Sequence, residues 1–119
     1  MTDQPVRTAA VYVQGRRAGL LEEFPSARFR FRYEESYDGA PVSLTMPVEQ
    51  REFDYDRFPP FFDGLLPEGW QLEALLRSAK LDRRDYMGQL LAVGSDTVGA
   101  VTVAPAASDT DRAVDVPRP

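Results

Sequence analysis

The sequence contains no cysteine and no histidine among its 119 residues. Without cysteine the chain can form neither disulfides nor thiolate metal sites, so a reducing cytoplasm is its expected location. Without histidine it lacks the commonest general base and the commonest metal ligand. No phosphate-binding loop, dinucleotide fingerprint or kinase catalytic loop is present either. We therefore expect a protein that is not an enzyme and binds no cofactor.

Long apolar runs and an excess of basic charge are also missing. No stretch approaches the ~18 apolar residues of a membrane helix, and the first residues carry neither the basic nor the apolar region of a secretory signal. The net charge is −5, whereas direct nucleic-acid binding requires a basic surface. Neither a membrane nor a nucleic acid is therefore expected as a direct partner.

The length and the apolar fraction of 43% indicate one globular domain with a real core. Residues 1–8 are polar and are expected to be frayed. Residues 106–119 are rich in alanine, aspartate and proline without periodicity, and are expected to form a disordered tail. The predicted domain therefore spans residues 9–105.

Apolar alternation and turn residues predict the strands. A hairpin is predicted from residues 9–14 and Leu20–Leu21 around a glycine-containing turn at residues 15–19, and residues 28–33 alternate strictly between aromatic and arginine side chains. Further strands are predicted at residues 42–46, ended by Pro47, and at residues 100–104. Residues 48–56 are charged and are expected to be an irregular connection.

Two charged groups have a functional and a structural interpretation. Arg28, Arg30 and Arg32 share one face of a strand, which is either an anion-binding face or the solvated face of an antiparallel sheet. The second is favoured, because alternation alone predicts it. A metal site formed by Glu52, Asp54 and Asp56 is disfavoured in the same way, because the segment lacks the spacing of a calcium loop.

The segment 58–70 (FPPFFDGLLPEGW) organises the chain. Its large apolar residues recur at helical spacing, and Pro60 suits the first turn of a helix. Pro67 is incompatible with a helix interior, so this helix is expected to end at Leu66 or earlier. Gly69 then permits a sharp change of backbone direction before Trp70, the only tryptophan.

Trp70 is either a plug in the core of this domain or an anchor for a partner, and the corner before it favours the anchor. A catalytic role for Glu68 beside this aromatic ring is disfavoured, because no partner group accompanies it. A second helix is predicted over residues 70–81, with an apolar stripe at Leu72, Leu75, Leu76 and Ala79 and an ion pair between Glu73 and Arg77. Asp82 is the predicted cap of a third helix, which ends at Gly94.

Four strands followed by three helices and a last strand indicate an α+β fold. We expect a small, mainly antiparallel sheet or partial barrel of about five strands, with two to three short helices inserted before the last strand. The expected core residues are Phe29, Phe31, Leu65, Leu66, Leu75 and Leu76.

Four motifs in order resemble the N-terminal subdomain 1 of HipA-type serine/threonine kinases. They are the hairpin at residues 12–21, the proline-bounded segment 41–47, the segment 61–69 (FFDGLLPEG) and the turn 94–100 (GSDTVGA). Gly64 replaces an asparagine that is usual in the third motif. The ATP-binding and catalytic parts of these kinases lie beyond the subdomain and have no counterpart here, so no catalytic residue carries over.

A free-standing subdomain of this kind is similar to HipS, the small component of three-part HipBST toxin–antitoxin systems. The resemblance implies an antitoxin that binds a HipA-like (HipT) kinase toxin in trans and occludes its cleft, together with a HipB-type helix-turn-helix protein in a ternary complex. Two alternatives stay open: an accessory subunit that completes or activates a split kinase, and a corepressor assembled with the HipB-type protein. The expected contact residues are Glu68, Gly69, Trp70, Leu72 and Glu73.

Overall fold

The structure, a computed structural model, describes residues 4–97 and 99–106. Five strands and three α-helices lie within them: β1 (Arg7–Val13), β2 (Arg16–Phe24), β3 (Arg28–Tyr33), β4 (Glu52–Tyr55), α1 (Pro60–Asp63), α2 (Gly69–Ala79), α3 (Tyr86–Val93) and β5 (Val101–Ala106). None of the helices described is long and apolar enough to cross a membrane.

At both ends of the predicted domain, a strand extends beyond the predicted border. Arg7 and Thr8, predicted to be frayed, belong to β1. Ala106, predicted to begin the tail, is the last residue of β5, and the rest of the predicted tail lies outside the described residues.

The strands form one antiparallel sheet in the order β4-β3-β2-β1-β5. The predicted α+β class is confirmed, and the sheet is open rather than closed into a barrel. The first hairpin turns at Gln14 and Gly15, whose φ values are 51° and 81°. Positive φ at both central residues suits the twist of a two-residue hairpin loop. The turn predicted at residues 15–19 is therefore too long, since β2 begins at Arg16.

The alternation of β3 separates its two faces as predicted. Phe29, Phe31 and Tyr33 are buried on the inner face. On the outer face Arg30 pairs with Asp54 at 2.9 Å and Arg32 pairs with Glu22 at 3.1 Å. The arginine face is therefore a sheet surface with paired charges, as the structural interpretation predicts. Asp54, a candidate metal ligand, is one of these ion-pair partners.

The strand predicted at residues 42–46 is wrong, because this segment lies in a long loop between β3 and β4. The Tyr33 hydroxyl accepts a hydrogen bond from the Val42 N–H at 2.9 Å and donates one to the Met46 carbonyl. Arg51 donates to four further loop carbonyls, those of Glu34, Glu35, Tyr37 and Val48. Side chains thus satisfy backbone groups that a strand would have paired.

The fourth strand is instead β4, within a segment predicted to be irregular. It pairs with β3, and Phe53 lies opposite Phe31. The sequence pattern did not reveal the alternation of Phe53 and Tyr55, because charged residues lie between and around them. Those charges face outward, where Asp54 meets Arg30.

The helices α1 and α3 cover the inner face of the sheet. The ring of Phe62 in α1 is fully buried with its centroid 6.1 Å from that of Phe31. Met87 and Leu90 of α3 are buried in the same core. The core expected at Phe29 and Phe31 is therefore confirmed.

Candidate partner-binding site

The segment 58–66 anchors the candidate site to the sheet. Phe58 is buried, and its ring meets that of Phe29 edge to face at a centroid distance of 5.2 Å. Leu65 and Leu66, two of the expected core residues, are half-buried and pack against the core. The helix α1 ends at Asp63, within the predicted limit of Leu66.

The corner between α1 and α2 turns at Gly69. Glu68 is extended, with φ −132° and ψ 166°, and Gly69 has a φ of +59°. A left-handed glycine after an extended residue redirects the chain at once, because no Cβ opposes that conformation. Trp70, the next residue, is 78% exposed. The interpretation of Trp70 as a plug in this domain's core is therefore wrong.

The helix α2 has no buried residue. The stripe at Leu72, Leu75 and Leu76 is half-buried, so the expectation that Leu75 and Leu76 belong to the core is wrong. Spacing predicts which side chains share a face, whereas the depth of that face depends on what covers it. An amphipathic helix with so little covered surface is available to a partner.

Trp70 and Leu72 lie on opposite sides of α2. Glu73 lies between these sides, because its carboxylate pairs with Arg83, a residue of the groove that Leu72 lines. Leu72 is rotated by about 200° from Trp70, because each helical residue turns by about 100°. It lines a groove of about 240 Å³ together with Leu66, Pro67, Glu68 and Tyr86. Glu68 and Gly69 are exposed at the corner between the two sides.

The charge pairing of Glu73 differs from the prediction. Its carboxylate accepts a hydrogen bond from Arg83 at 2.7 Å, rather than from Arg77 within the same helix. This ion pair connects α2 to the segment before α3. Because both side chains are at least half exposed, the pair contributes little to stability and can be exchanged for contacts to a partner.

The helix α3 fixes the segment that connects it to α2. Its N-terminal cap is Asp85, which accepts a hydrogen bond from the Gly88 N–H at 3.0 Å, so the predicted cap at Asp82 is wrong. Asp82 instead accepts from the N–H of Arg84, a local turn that a sequence cannot distinguish from a cap. Gln89 is buried and donates to the carbonyls of Asp82 and Arg83, which fixes the segment between α2 and α3.

An ionic bridge connects α3 to the sheet. Arg7 lies 2.6 Å from Glu23 and 2.6 Å from Asp85. The hydrogen bond from the Arg7 guanidinium holds the pKa of the Asp85 carboxyl below its usual value, although partial burial opposes this shift. The same two carboxylates raise the pKa of Arg7. The bridge is structural and fixes the start of α3.

Tyr86 borders the groove and was not among the predicted site residues. It is 43% exposed, and its ring lies 5.7 Å from that of Phe58. The sequence pattern offered no signal for this role. Within the described part of the chain, no group of three or more acidic residues is placed to hold a metal ion.

Comparison with known proteins finds one consistent family. The family model described as HipA N-terminal domain matches residues 9–104. An uncharacterized protein of Haemophilus influenzae is 37% identical over 98 residues, which are 82% of this chain and 92% of that protein. The solved structure of the N-terminal domain of HipA toxin has a TM-score of 0.68 and 34% sequence identity, and the match covers 89% of this chain and 97% of that one.

Proposed function

The chain belongs to the HipA N-terminal domain family, and from this premise we propose that it is an antitoxin that binds and inhibits a HipA-like (HipT) kinase toxin in trans. In this proposal it is not an enzyme and acts in the cytoplasm. A HipB-type helix-turn-helix protein joins the two in a ternary complex. The similarity to the N-terminal domain of HipA toxin supports the choice of a kinase of this type as the partner.

The size of a relative supports action in trans. The match covers 92% of the Haemophilus influenzae protein, so that protein is itself little longer than this one domain. A domain that is separated from a kinase keeps the surface by which it would pack against the kinase. That surface is then selective for the kinase as a partner.

The exposure of Trp70 carries the proposal. Tryptophan is the residue type most enriched at interface hot spots, where truncation typically costs about 2 kcal/mol or more. Here the ring is 78% exposed at a backbone corner whose direction is set by Gly69. A preorganised aromatic anchor binds with a smaller loss of conformational entropy than a mobile one.

The two-sided arrangement at the start of α2 favours insertion into a cleft. Trp70 faces one side, whereas Leu72 and the groove face the other, and Glu73 pairs with Arg83 of that groove. A flat partner surface would contact only one of these sides, but the two walls of a kinase cleft would contact both. We propose that Trp70 enters that cleft and blocks the placement of nucleotide or substrate, while Glu68, Gly69, Leu72 and Glu73 contact its walls.

The test measures autophosphorylation of the purified partner kinase with increasing amounts of this protein. We expect the wild type to inhibit, and Trp70→Ala to need a roughly 30-fold higher concentration, which corresponds to about 2 kcal/mol. Trp70→Phe should retain part of the inhibition because it keeps an aromatic ring. Val6→Ala, which changes a 59% exposed apolar residue on the β1 side of the sheet, is the control and should inhibit like the wild type.

The outcomes separate the alternatives. Circular dichroism of each variant establishes that it is folded, which we expect because an exposed ring contributes little to the core. Equal inhibition by the wild type and Trp70→Ala would preserve the antitoxin function and remove this site. Higher kinase activity on addition of the wild type would contradict the antitoxin function and favour the accessory subunit. A gel shift with and without the HipB-type protein tests the corepressor alternative.

A further inference from the structure

The turn Ser43–Met46 presents the most exposed large apolar residue among those described. Leu44 is 95% exposed at its tip. The turn is closed by a hydrogen bond of 2.9 Å from the Met46 N–H to the Ser43 carbonyl. We call these four residues the Leu44 turn.

The Leu44 turn is held rigidly from both ends. Val42 and Met46, the residues on either side of its tip, are buried at 5% and 1% exposure. The Tyr33 hydroxyl joins the backbone of both. Inside the turn the Ser43 hydroxyl accepts a hydrogen bond from the Thr45 N–H at 3.3 Å. Single exposed leucines are common on protein surfaces, but a leucine fixed in this way binds with little further loss of entropy.

The surroundings of Leu44 are apolar. It borders a groove of about 500 Å³ whose apolar lining includes Pro41, Pro47 and Val48. Most of the charged groups of this groove already have partners within the chain. The Asp38 carboxylate pairs with Arg16 at 2.7 Å, and the Arg51 guanidinium donates to backbone carbonyls of the loop. The complementary surface on a partner is therefore an apolar pocket.

The Leu44 turn covers the same face of the sheet as the segment that leads to Trp70. The turn is tied to Tyr33, whereas Phe62 of α1 packs on Phe31. Phe31 and Tyr33 are same-face neighbours on β3 and therefore lie about 7 Å apart. The two exposed anchors thus rise from one continuous layer, so a single partner can contact both.

We propose that the Leu44 turn is a second anchor for the same kinase, and that Leu44 enters an apolar pocket outside the active-site cleft. This inference rests on the proposed function. It assigns the two anchors different tasks: Trp70 blocks the cleft, whereas Leu44 contributes affinity without blocking it.

The experiment compares the full-length wild type, Leu44→Ser and Val6→Ser for the dissociation constant with the kinase and for inhibition at saturating concentration. We expect Leu44→Ser to bind roughly tenfold more weakly, as for a moderate interface anchor, and still to inhibit completely at saturation. Val6→Ser removes another exposed apolar side chain and should bind like the wild type. Neither change should lower thermal stability, because both side chains are exposed.

Three other results would overturn this inference, and one of them would also overturn the proposed function. Wild-type affinity for Leu44→Ser would overturn this inference and leave the proposed function intact. Failure of the wild type to bind the kinase would overturn both. If sedimentation shows a wild-type dimer that Leu44→Ser dissociates, the turn serves self-association and the inference is wrong.

Discussion

At the scale of single residues, Gly69 determines where the indole of Trp70 is presented. Its φ of +59° lies in the left-handed region, and a Cβ at this position would have no neighbour within 4 Å. Space is therefore not the reason for glycine here. The reason is the backbone conformation, which costs an L-residue about 1–2 kcal/mol.

Gly69→Ala should consequently lower the free energy of unfolding by about 1 kcal/mol. Urea denaturation at neutral pH measures this change. Gly69→Asn is the matched variant, and it should lose less because asparagine tolerates the left-handed conformation better. Equal stability of the alanine variant and the wild type would show that the corner relaxes, and that Gly69 does not fix the direction of Trp70.

The residue types of the candidate site were predictable, but their exposure was not. A proline–glycine corner before a tryptophan indicated a change of direction at residues 67–70. Whether the ring points inward or outward depends on the elements around the corner, which helical spacing does not describe. The same limit applies to Leu75 and Leu76, whose stripe is real but remains half-buried.

At the scale of elements, α3 is fixed by its first residues. Asp85 caps the helix through the Gly88 N–H and receives the Arg7 guanidinium, which arrives from β1. Because these contacts favour the ionised carboxylate, the pKa of Asp85 is lower in the folded protein than its ordinary value. Its contribution to stability is complete above the pKa of the unfolded chain and disappears as the pH falls through the folded pKa.

Asp85→Asn should therefore lower the free energy of unfolding by about 1 kcal/mol at pH 7, since it removes the charge but keeps a capping oxygen. The difference from the wild type should shrink as the pH falls below about 4. Urea denaturation over a pH series measures it. Asp56→Asn, a change at an exposed carboxylate after β4, should show a smaller effect. A difference that is constant with pH would contradict the role of charge.

The fourth strand illustrates what local patterns miss. Residues 42–46 have strand-forming side chains, but Pro41 and Pro47 bound them and Tyr33 pairs their backbone groups. Residues 52–55 look like a charged connection, yet their alternation places Phe53 against Phe31. Both differences come from β3. Its edge pairs with residues 52–55, whereas its Tyr33 hydroxyl bonds the backbone of residues 42 and 46.

At the scale of the whole molecule, the last strand of the sequence completes the sheet beside the first. β5 pairs with β1 throughout its length, and Val101 and Val103 are buried in the same core as Phe31. The helices α1 to α3 lie between these strands in the sequence. The two ends of the domain must therefore meet before its core is complete.

A chain shortened to residues 1–99 should consequently lose cooperative thermal unfolding, because β1 becomes an unpaired edge and buried apolar area is lost. Circular dichroism during heating compares it with the full-length chain. A retained sharp transition near the wild-type midpoint would show that β5 is dispensable for the fold.

The sequence by itself determined the class of the fold, the order of its elements, the family and the aromatic face of β3. These follow from periodicity and from motifs, which are properties of neighbouring residues. Only the tertiary structure decided that residues 52–55 form the fourth strand, that Asp85 caps α3, and that Trp70 and Leu44 face outward. Each of these depends on which distant groups, such as Arg7 or Tyr33, come within contact distance. Burial and pairing are set by such contacts, and a local pattern of residues does not contain them.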